Sequence, residues 1–365
     1  MDKNMLDLYI DFLICSTSYT TATALSRATG NKISHDKITR FLSTEDFTPQ
    51  DLWQITKPLV KLTHDEAKSG GVLIIDDSIE EKPYTDENDI IAWHYDHSKG
   101  RAVKGINFVS ALYQAGKVVV PVAYELVKKT QVIVNKKTGK KGRKSLISKQ
   151  EYFRNLIKTA VSNNIDFKTV LADTWFASVE NMCYIKNDMH KDFIMPLKSN
   201  RKVALSEEKL AAGEFVDIKK LETGNSVLVR LEGVDFPLRL MSQVFKDGDA
   251  STGVIYLVSS NIELTGDQIL TTYKRRWNVE EYHKSLKNNA SLEKSPTKTV
   301  RTQANHLFAS ICAFVRLESL CLATKTNHFA LKSMIYIEAL KTSFKKLTIL
   351  KNKVLQPENI VSVSA

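Results

Sequence analysis

Cysteine is scarce in this 365-residue sequence: Cys15, Cys183, Cys312 and Cys321 lie far apart and form no C-x-x-C pair. No disulfide framework is expected, and the four read as buried thiols of a reducing compartment. Clean apolar runs are lacking too. "MDKNMLDLYIDFL" carries acids inside its apolar stretch, so no signal peptide is expected. "LFASICAFVRLESLCLA" contains Arg316 and Glu318, which marks a core helix rather than a membrane span. No internal repeat or low-complexity segment is visible. Acids are outnumbered, with 41 Asp and Glu against 52 Lys and Arg, giving a net charge of +11 and a pI near 9.2. With 43% hydrophobic and 25% charged residues, the composition is that of a globular protein, expected to be cytoplasmic. Its excess positive charge suggests a polyanionic partner, nucleic acid first.

The length allows two or three structural units. Residues 1–64 read as helical. "TATALSRATGNKISHDKITRFLS" offers a helix, Gly30 as a stop, and a second helix from the capping residue Ser34, with Lys37 and Arg40 on it. That is helix-turn-helix grammar, and equally the grammar of an ordinary packed helix pair. The pattern changes at Gly71. "VLII" (72–75) is a strand buried on both faces, ending abruptly in Asp76-Asp77-Ser78. "GINFVSALYQAGKVVVPVAYELV" (105–127) predicts an antiparallel hairpin turning at Ala115-Gly116. A loop over 128–149 follows with nine cations, among them Lys137, Lys140 and Lys149, and no acid, a candidate for DNA backbone contact. Ser148 and Glu151 then open an amphipathic helix as a capping box, and "FKTVLAD" (167–173) is a second buried strand ending in an aspartate. Residues 193–261 hold several short strands, such as "SVLVRL", "FPLRLM" and "GVIYLVSS", expected to build a small core of their own. The tail beyond about residue 350 is expected to be disordered.

Thr265 and Gln268 predict the start of a long helix, with no break before Asn288-Asn289. At about 100° per residue, Tyr273, Arg276, Glu280, Lys284 and Lys287 share one stripe roughly 80° wide. Val279, Tyr282 and Leu286 form a separate apolar stripe for the core. Periodicity alone makes the first stripe a solvated face with a Glu280–Lys284 pair. Two other carboxylates change that reading, because Asp76 (or Asp77) and Asp173 each stand where a core strand runs out. Acids at neighbouring strand ends repel one another unless a cation lies between them, and hard oxygen donors suit Mg²⁺ or Mn²⁺. A third carboxylate from a packed helix would complete a two-metal phosphoryl-transfer site, with the surrounding cations holding phosphates. "WHYDH" (93–97) could also suggest a metal, but a loop held by side-chain hydrogen bonds fits better, since no further ligand cluster is evident.

The spacing Tyr273-(2)-Arg276-(3)-Glu280-(6)-Lys287 resembles the Y-(2)-R-(3)-E-(6)-K signature of bacterial insertion-sequence DDE transposases of the insertion sequence four-type group. "RRWNVE" looks like the usual R-W-x-[IV]-E core, "LADTWF" like the second-aspartate strand and "IIDDS" like the first, so the likeness covers roughly residues 70–320. It implies an α/β fold: an RNase H-like mixed-sheet catalytic core with a β-rich insertion and an N-terminal helical domain. The chain then divides into a helical, helix-turn-helix-like unit (1–64), a first core part (65–192), the insertion (193–261), a second core part with the glutamate helix (262–330), and a C-terminal helix and tail (331–365). The resemblance implies Glu280 as the third metal ligand beside Asp173 and the first aspartate, with Tyr273, Arg276 and Lys287 on phosphates at the scissile end. Trp277 is expected to pack the helix. The first acid can be laid on as D-x-[ST], giving Asp76, or as [DE]-D-[ST], giving Asp77. Neighbours on a strand point to opposite faces, so only one enters the site, and Asp76 is preferred. The implied activity is Mg²⁺-dependent cutting of terminal inverted repeats and joining to target DNA, by at least a dimer in the synaptic complex. The alternatives are a metal-dependent nuclease on the same core and a non-catalytic DNA-binding repressor.

Overall fold

The computed structural model describes residues 2–66, 70–134, 136, 139, 141–221, 226–246 and 252–354. Four helices come first: α1 (Lys3–Cys15), α2 (Ala22–Ala28), α3 (His35–Thr44) and α4 (Pro49–Glu66). Gly30 takes the left-handed φ of +65° that stops α2, and the Lys37 backbone N–H donates to Ser34 Oγ at the start of α3. Ile38, Phe41 and Leu42 are buried, leaving Lys37 and Arg40 exposed.

The next strands are β1 (Gly71–Glu81), β2 (Ile91–Asp96), β3 (Arg101–Ala115) and β4 (Val118–Leu126). β3 is antiparallel to β1 on one edge; on the other it takes β2 along residues 101–106 and β4 along residues 108–115. Gly116, at φ +59°, makes the expected turn. A hairpin, β5 (Gln131–Val134) with β6 (Lys141–Lys144), precedes α5 (Lys149–Ser162). The chain then returns as β7 (Phe167–Leu171), parallel to β1, and passes through α6 (Val179–Cys183) to β8 (Asp192–Leu197), parallel to β7. Antiparallel β4, β3 and β1 beside parallel β7 and β8, with helices packed on the sheet, form the RNase H-like core.

Beyond β8 come β9 (Lys202–Val203), α7 (Glu207–Ala211), β10 (Val216–Asp217), β11 (Val227–Val229), β12 (Leu238–Lys246) and β13 (Thr252–Ser259). Here the structure departs from expectation. β8, at the head of the 193–261 block, is a parallel strand of the main sheet, and β13, β12 and β11 continue that sheet from its edge. Val229, Leu238, Leu240, Tyr256 and Val258 join the main apolar cluster rather than a small core of their own. The physical reason is the open edge of β8, whose unpaired N–H and C=O groups template the next strand.

The last helices are α8 (Gly266–Lys274), α9 (Asn278–Asn288), α10 (Val300–Thr324) and α11 (His328–Val354). α10 is long and apolar enough to cross a membrane by length and composition, yet Leu307, Phe308, Ile311 and Leu317 are buried in the apolar core. Helix α11 keeps order as far as Val354, past the point where disorder is expected; residues 355–365, like Lys137 and Lys140 of the cationic loop, lie outside the described residues. Two smaller expectations fail. Cys15 is exposed rather than buried, although all four cysteines are free. Trp277 is 64% exposed, so it does not pack the helix.

Candidate active site

Asp76 and Asp77 stand in the middle of β1 rather than at its end as expected, because pairing with β3 carries the strand on to Glu81. The alternation of that strand positions the two. Val72 and Ile74 point into the cluster containing Val279, Tyr282 and Leu286 of α9, whereas Leu73 and Ile75 point into the cluster containing Phe153, Leu156 and Ile157 of α5. Two-residue periodicity then sends Asp76 toward α9 and Asp77 toward α5. Their partners agree. Arg276 Nη1 lies 3.1 Å from Asp76 Oδ2. Lys149 Nζ, on the first residue of α5, and Asn107 Nδ2 each donate to Asp77 Oδ2 at 2.6 Å.

Asp173 stands two residues past β7 and caps a 3₁₀ turn over Thr174–Phe176, its Oδ1 accepting from the Trp175 N–H at 3.0 Å and the Phe176 N–H at 3.4 Å. Glu280 lies in the first turn of α9. The long helix expected from Thr265 is interrupted: the capping box is present, but a 3₁₀ turn over Arg275–Trp277 separates α8 from α9. Arg276 sits in that turn, and its other nitrogen, Nη2, is 3.5 Å from Glu280 Oε1. One guanidinium thus joins an acid of the first strand to the acid of the helix. The apolar stripe is as expected, with Val279, Tyr282 and Leu286 buried.

Asp76, Asp77, Asp173, Glu280, Lys284 and Lys287 all line one cleft of about 730 Å³, so both neighbouring aspartates border it although strand alternation predicts only one. Tyr273 turns inward instead; its hydroxyl donates to the Ala172 carbonyl at 3.4 Å and its ring centre is 6.0 Å from the Arg276 guanidinium carbon. The Lys284 ammonium lies 5.1 Å from the centre of the Phe329 ring, and Lys287 Nζ is 3.5 Å from Glu293. Burial pushes the Asp76 carboxyl up to about 8, Asp173 adds to the rise, and Arg276 only partly offsets it. Asp173 is raised too, by burial first and then by Asp77. Burial likewise lifts the Tyr273 hydroxyl to about 12.

Among the described residues no three acidic, imidazole or thiol side chains are gathered as a ready-made metal cluster. The chemistry of the donor set still fits a divalent cation: three carboxylates lie around one cleft, and the charge of Asp76 and Asp173 is disfavoured even with Arg276 present. Sequence reasoning missed four residues here. His283 lines the cleft with Nε2 unpartnered and its pKa pushed down to about 3 by burial and then Lys287; its place three residues after Glu280 was a usable signal. Lys149 was counted as a loop cation, though Ser148, the cap before it, marks it as helical. Lys198 also lines the cleft, with no sequence signal of its own. Nor does any signal reveal Asn107, which reaches Asp77 through a strand register. In "WHYDH", Asp96 Oδ1 accepts from Ser98 N, Ser98 Oγ and Lys99 N, the loop-forming role expected of it.

No curated protein matches the sequence. Among solved structures the chain is similar to one titled "Drosophila P element transposase strand transfer complex", with 12% identity and a TM-score of 0.28, over 54% of this chain and 45% of that one. The chain therefore spans less than half the length of that relative, a likeness too slight to argue from. The family profile described as "DDE superfamily endonuclease" matches residues 1–213, more than half of the chain, including Asp76, Asp77 and Asp173 but not Glu280. On that match this chain belongs to the DDE superfamily endonuclease family.

Proposed function

We propose that this protein is a DNA transposase of the insertion-sequence kind, cutting element ends and joining them to target DNA by direct phosphoryl transfer. The observation that carries the reading is the meeting of Asp76, Asp173 and Glu280 in one cleft, with Arg276 bonded to two of them. DDE endonucleases generally use divalent metals; here Asp76, Asp173 and Glu280 would hold Mg²⁺, with Mn²⁺ as a substitute. Bound there, the ions would activate the attacking oxygen and stabilise the leaving one. The chain's own cations do the rest. Lys284 and Lys287 offer their ammonium groups to substrate phosphates along the cleft wall, and Arg276 can exchange its carboxylates for a phosphate as charge arrives. Tyr273 orients Arg276 from below. Lys149 holds Asp77 and so keeps it off the ligand set. The cationic 128–149 segment adds sequence-independent DNA attraction, and two element ends require a dimer. DNA as substrate also fits a cytoplasmic, nucleoid-associated location.

The family match favours one second reading, an endonuclease that cuts without strand transfer. Supercoiled DNA carrying the segments that flank this coding sequence, incubated with the protein and Mg²⁺, separates the two. Joined products support the transposase, cleavage without joining supports the nuclease, and no cleavage with either Mg²⁺ or Mn²⁺ refutes both.

A further inference from the structure

A second constellation lies on another side of α9, outside the acidic cleft. Ser285 follows Glu280 by five residues, so helix periodicity turns it about 140° away from that acid. Its Oγ is 2.8 Å from His328 Nδ1, and His328 Nε2 is 2.8 Å from Glu318 Oε2. The other Glu318 oxygen accepts from the Val119 N–H at 3.0 Å. Lys325, at a left-handed φ of +54°, ends α10 and turns the chain, so that His328, the first residue of α11, comes back against Glu318. The Phe314 ring centre, 4.7 Å from that of the imidazole, braces it from one side. An ionised carboxylate only accepts, so the imidazole proton sits on Nε2, and Nδ1 is left to accept from the Ser285 hydroxyl. Asn289 Nδ2 in turn donates to Ser285 Oγ at 3.1 Å.

That order of contacts is the one an activated nucleophile needs: a hydroxyl on a base, and the base aligned by an acid. Ser285, His328 and Glu318 all line a cavity of about 640 Å³, whose walls include Tyr282, Phe314, Leu322 and Phe329. A clasp that merely joined helices would need no cavity beside it. Apolar walls around a nucleophile suit a small carboxylic ester with an apolar acyl chain. We infer that Ser285, His328 and Glu318 form a second active site, a serine esterase, with Ser285 as nucleophile, His328 as base and Glu318 positioning the imidazole. The Ser285 oxygen bonds to the ester carbonyl carbon while its proton passes to His328 Nδ1. The C=O electron pair moves onto the carbonyl oxygen, for which the Asn289 amide is the neighbouring donor. Collapse of this intermediate breaks the bond to the alkoxide, which leaves with the proton from His328. Water then attacks the acyl group by the same route, returning the serine and releasing a carboxylic acid.

The test uses the full chain in EDTA, without DNA, so it is independent of the transposase reading. A fluorophosphonate probe should label the parent on Ser285, as located by mass mapping of its peptides. The parent should also hydrolyse p-nitrophenyl butyrate, and labelling should stop that turnover. Ser285→Ala should lose the label and about 100-fold or more of the turnover. Glu318→Gln can still accept from His328 but carries no charge, so kcat should fall about ten-fold or more while KM stays near the parent value. Mapping on the parent stands whether or not a variant folds. The inference is overturned if the parent takes no label at Ser285, if it hydrolyses no ester, or if turnover survives in the labelled parent or in Ser285→Ala.

Discussion

The two faces of β1 receive neighbouring aspartates and treat them differently. On the α9 face Asp76 is nearly buried, shares Arg276 with Glu280, and has its carboxyl pushed up to about 8. On the α5 face Asp77 is held by two direct donors, Lys149 and Asn107. Asp76 has its charge disfavoured by burial, whereas Asp77, though Asp173 is also near it, has two direct donors where it stands. The lesson is that strand parity gives the two members of a D-D pair different partners. On the function proposed above, Asp76 would exchange Arg276 for a metal ion while Asp77 keeps Lys149 and Asn107.

The largest expected effect breaks the α9 face outright. Val279→Asp or Leu286→Asp places a charge where the native side chain is fully buried, and such an ion has no partner to offset its desolvation. Both variants should fail to give a cooperative melt by circular dichroism. Next come the carboxylates themselves. Asp173→Asn or Glu280→Gln should abolish end cleavage in Mg²⁺ while leaving DNA binding intact or tighter, since negative charge near phosphate is removed. Retained cleavage in either would sink the assignment. Within the pair, Asp76→Asn should be inactive and Asp77→Asn should keep substantial activity, as measured by cleavage rate; the reverse would move the site by one residue.

A subtler comparison uses pH. The folded pKa of Asp76, about 8, lies above the ordinary aspartate value of about 3.9, so its charge costs the native state. The cost starts as pH rises past the unfolded value and grows until pH passes the folded one. In EDTA, Asp76→Asn should therefore raise the melting temperature, more at pH 8 than at pH 5. A gain that shrank as pH rose would contradict the burial argument. Asp77→Asn weakens the Lys149 contact and should lower the melting temperature instead. The smallest effects concern the cations. Arg276→Ala and Lys287→Ala should each reduce the negative salt slope of DNA binding by about one unit at most. On stability they part company. Arg276 is only 17% exposed and bonded to a buried acid, whereas Lys287 is 32% exposed with a more open partner, so Arg276→Ala should melt lower. Parent-like cleavage by both at moderate salt would make the α9 stripe scaffolding.

Much of this molecule was legible in its one-dimensional pattern. Continuous apolar runs announced β1 and β7, the turn at Gly116 announced the hairpin, and caps at Ser34 and Thr265 announced helices, because backbone hydrogen bonding and side-chain periodicity act over a few residues. Asp173 and Glu280 could be put forward as candidates for the same reason, a strand end and a helix stripe being local features. Asp76, by contrast, stands mid-strand because β3 carries the pairing on to Glu81. What lay beyond the sequence were the properties that depend on register and edge. That β8 joins the main sheet and β13 to β11 extend it is decided by which strand edge lies open, not by any strand's composition. The break at Arg275–Trp277 appears only once the helix must serve two elements, with Arg275 donating to the Gln114 carbonyl at 2.7 Å while Arg276 reaches Asp76. Even the partners of two adjacent aspartates could not be read from the chain: Lys149 and Arg276, 72 and 200 residues away, meet them from opposite faces of one strand. Charge partners are found in space, and only the folded chain brings them there.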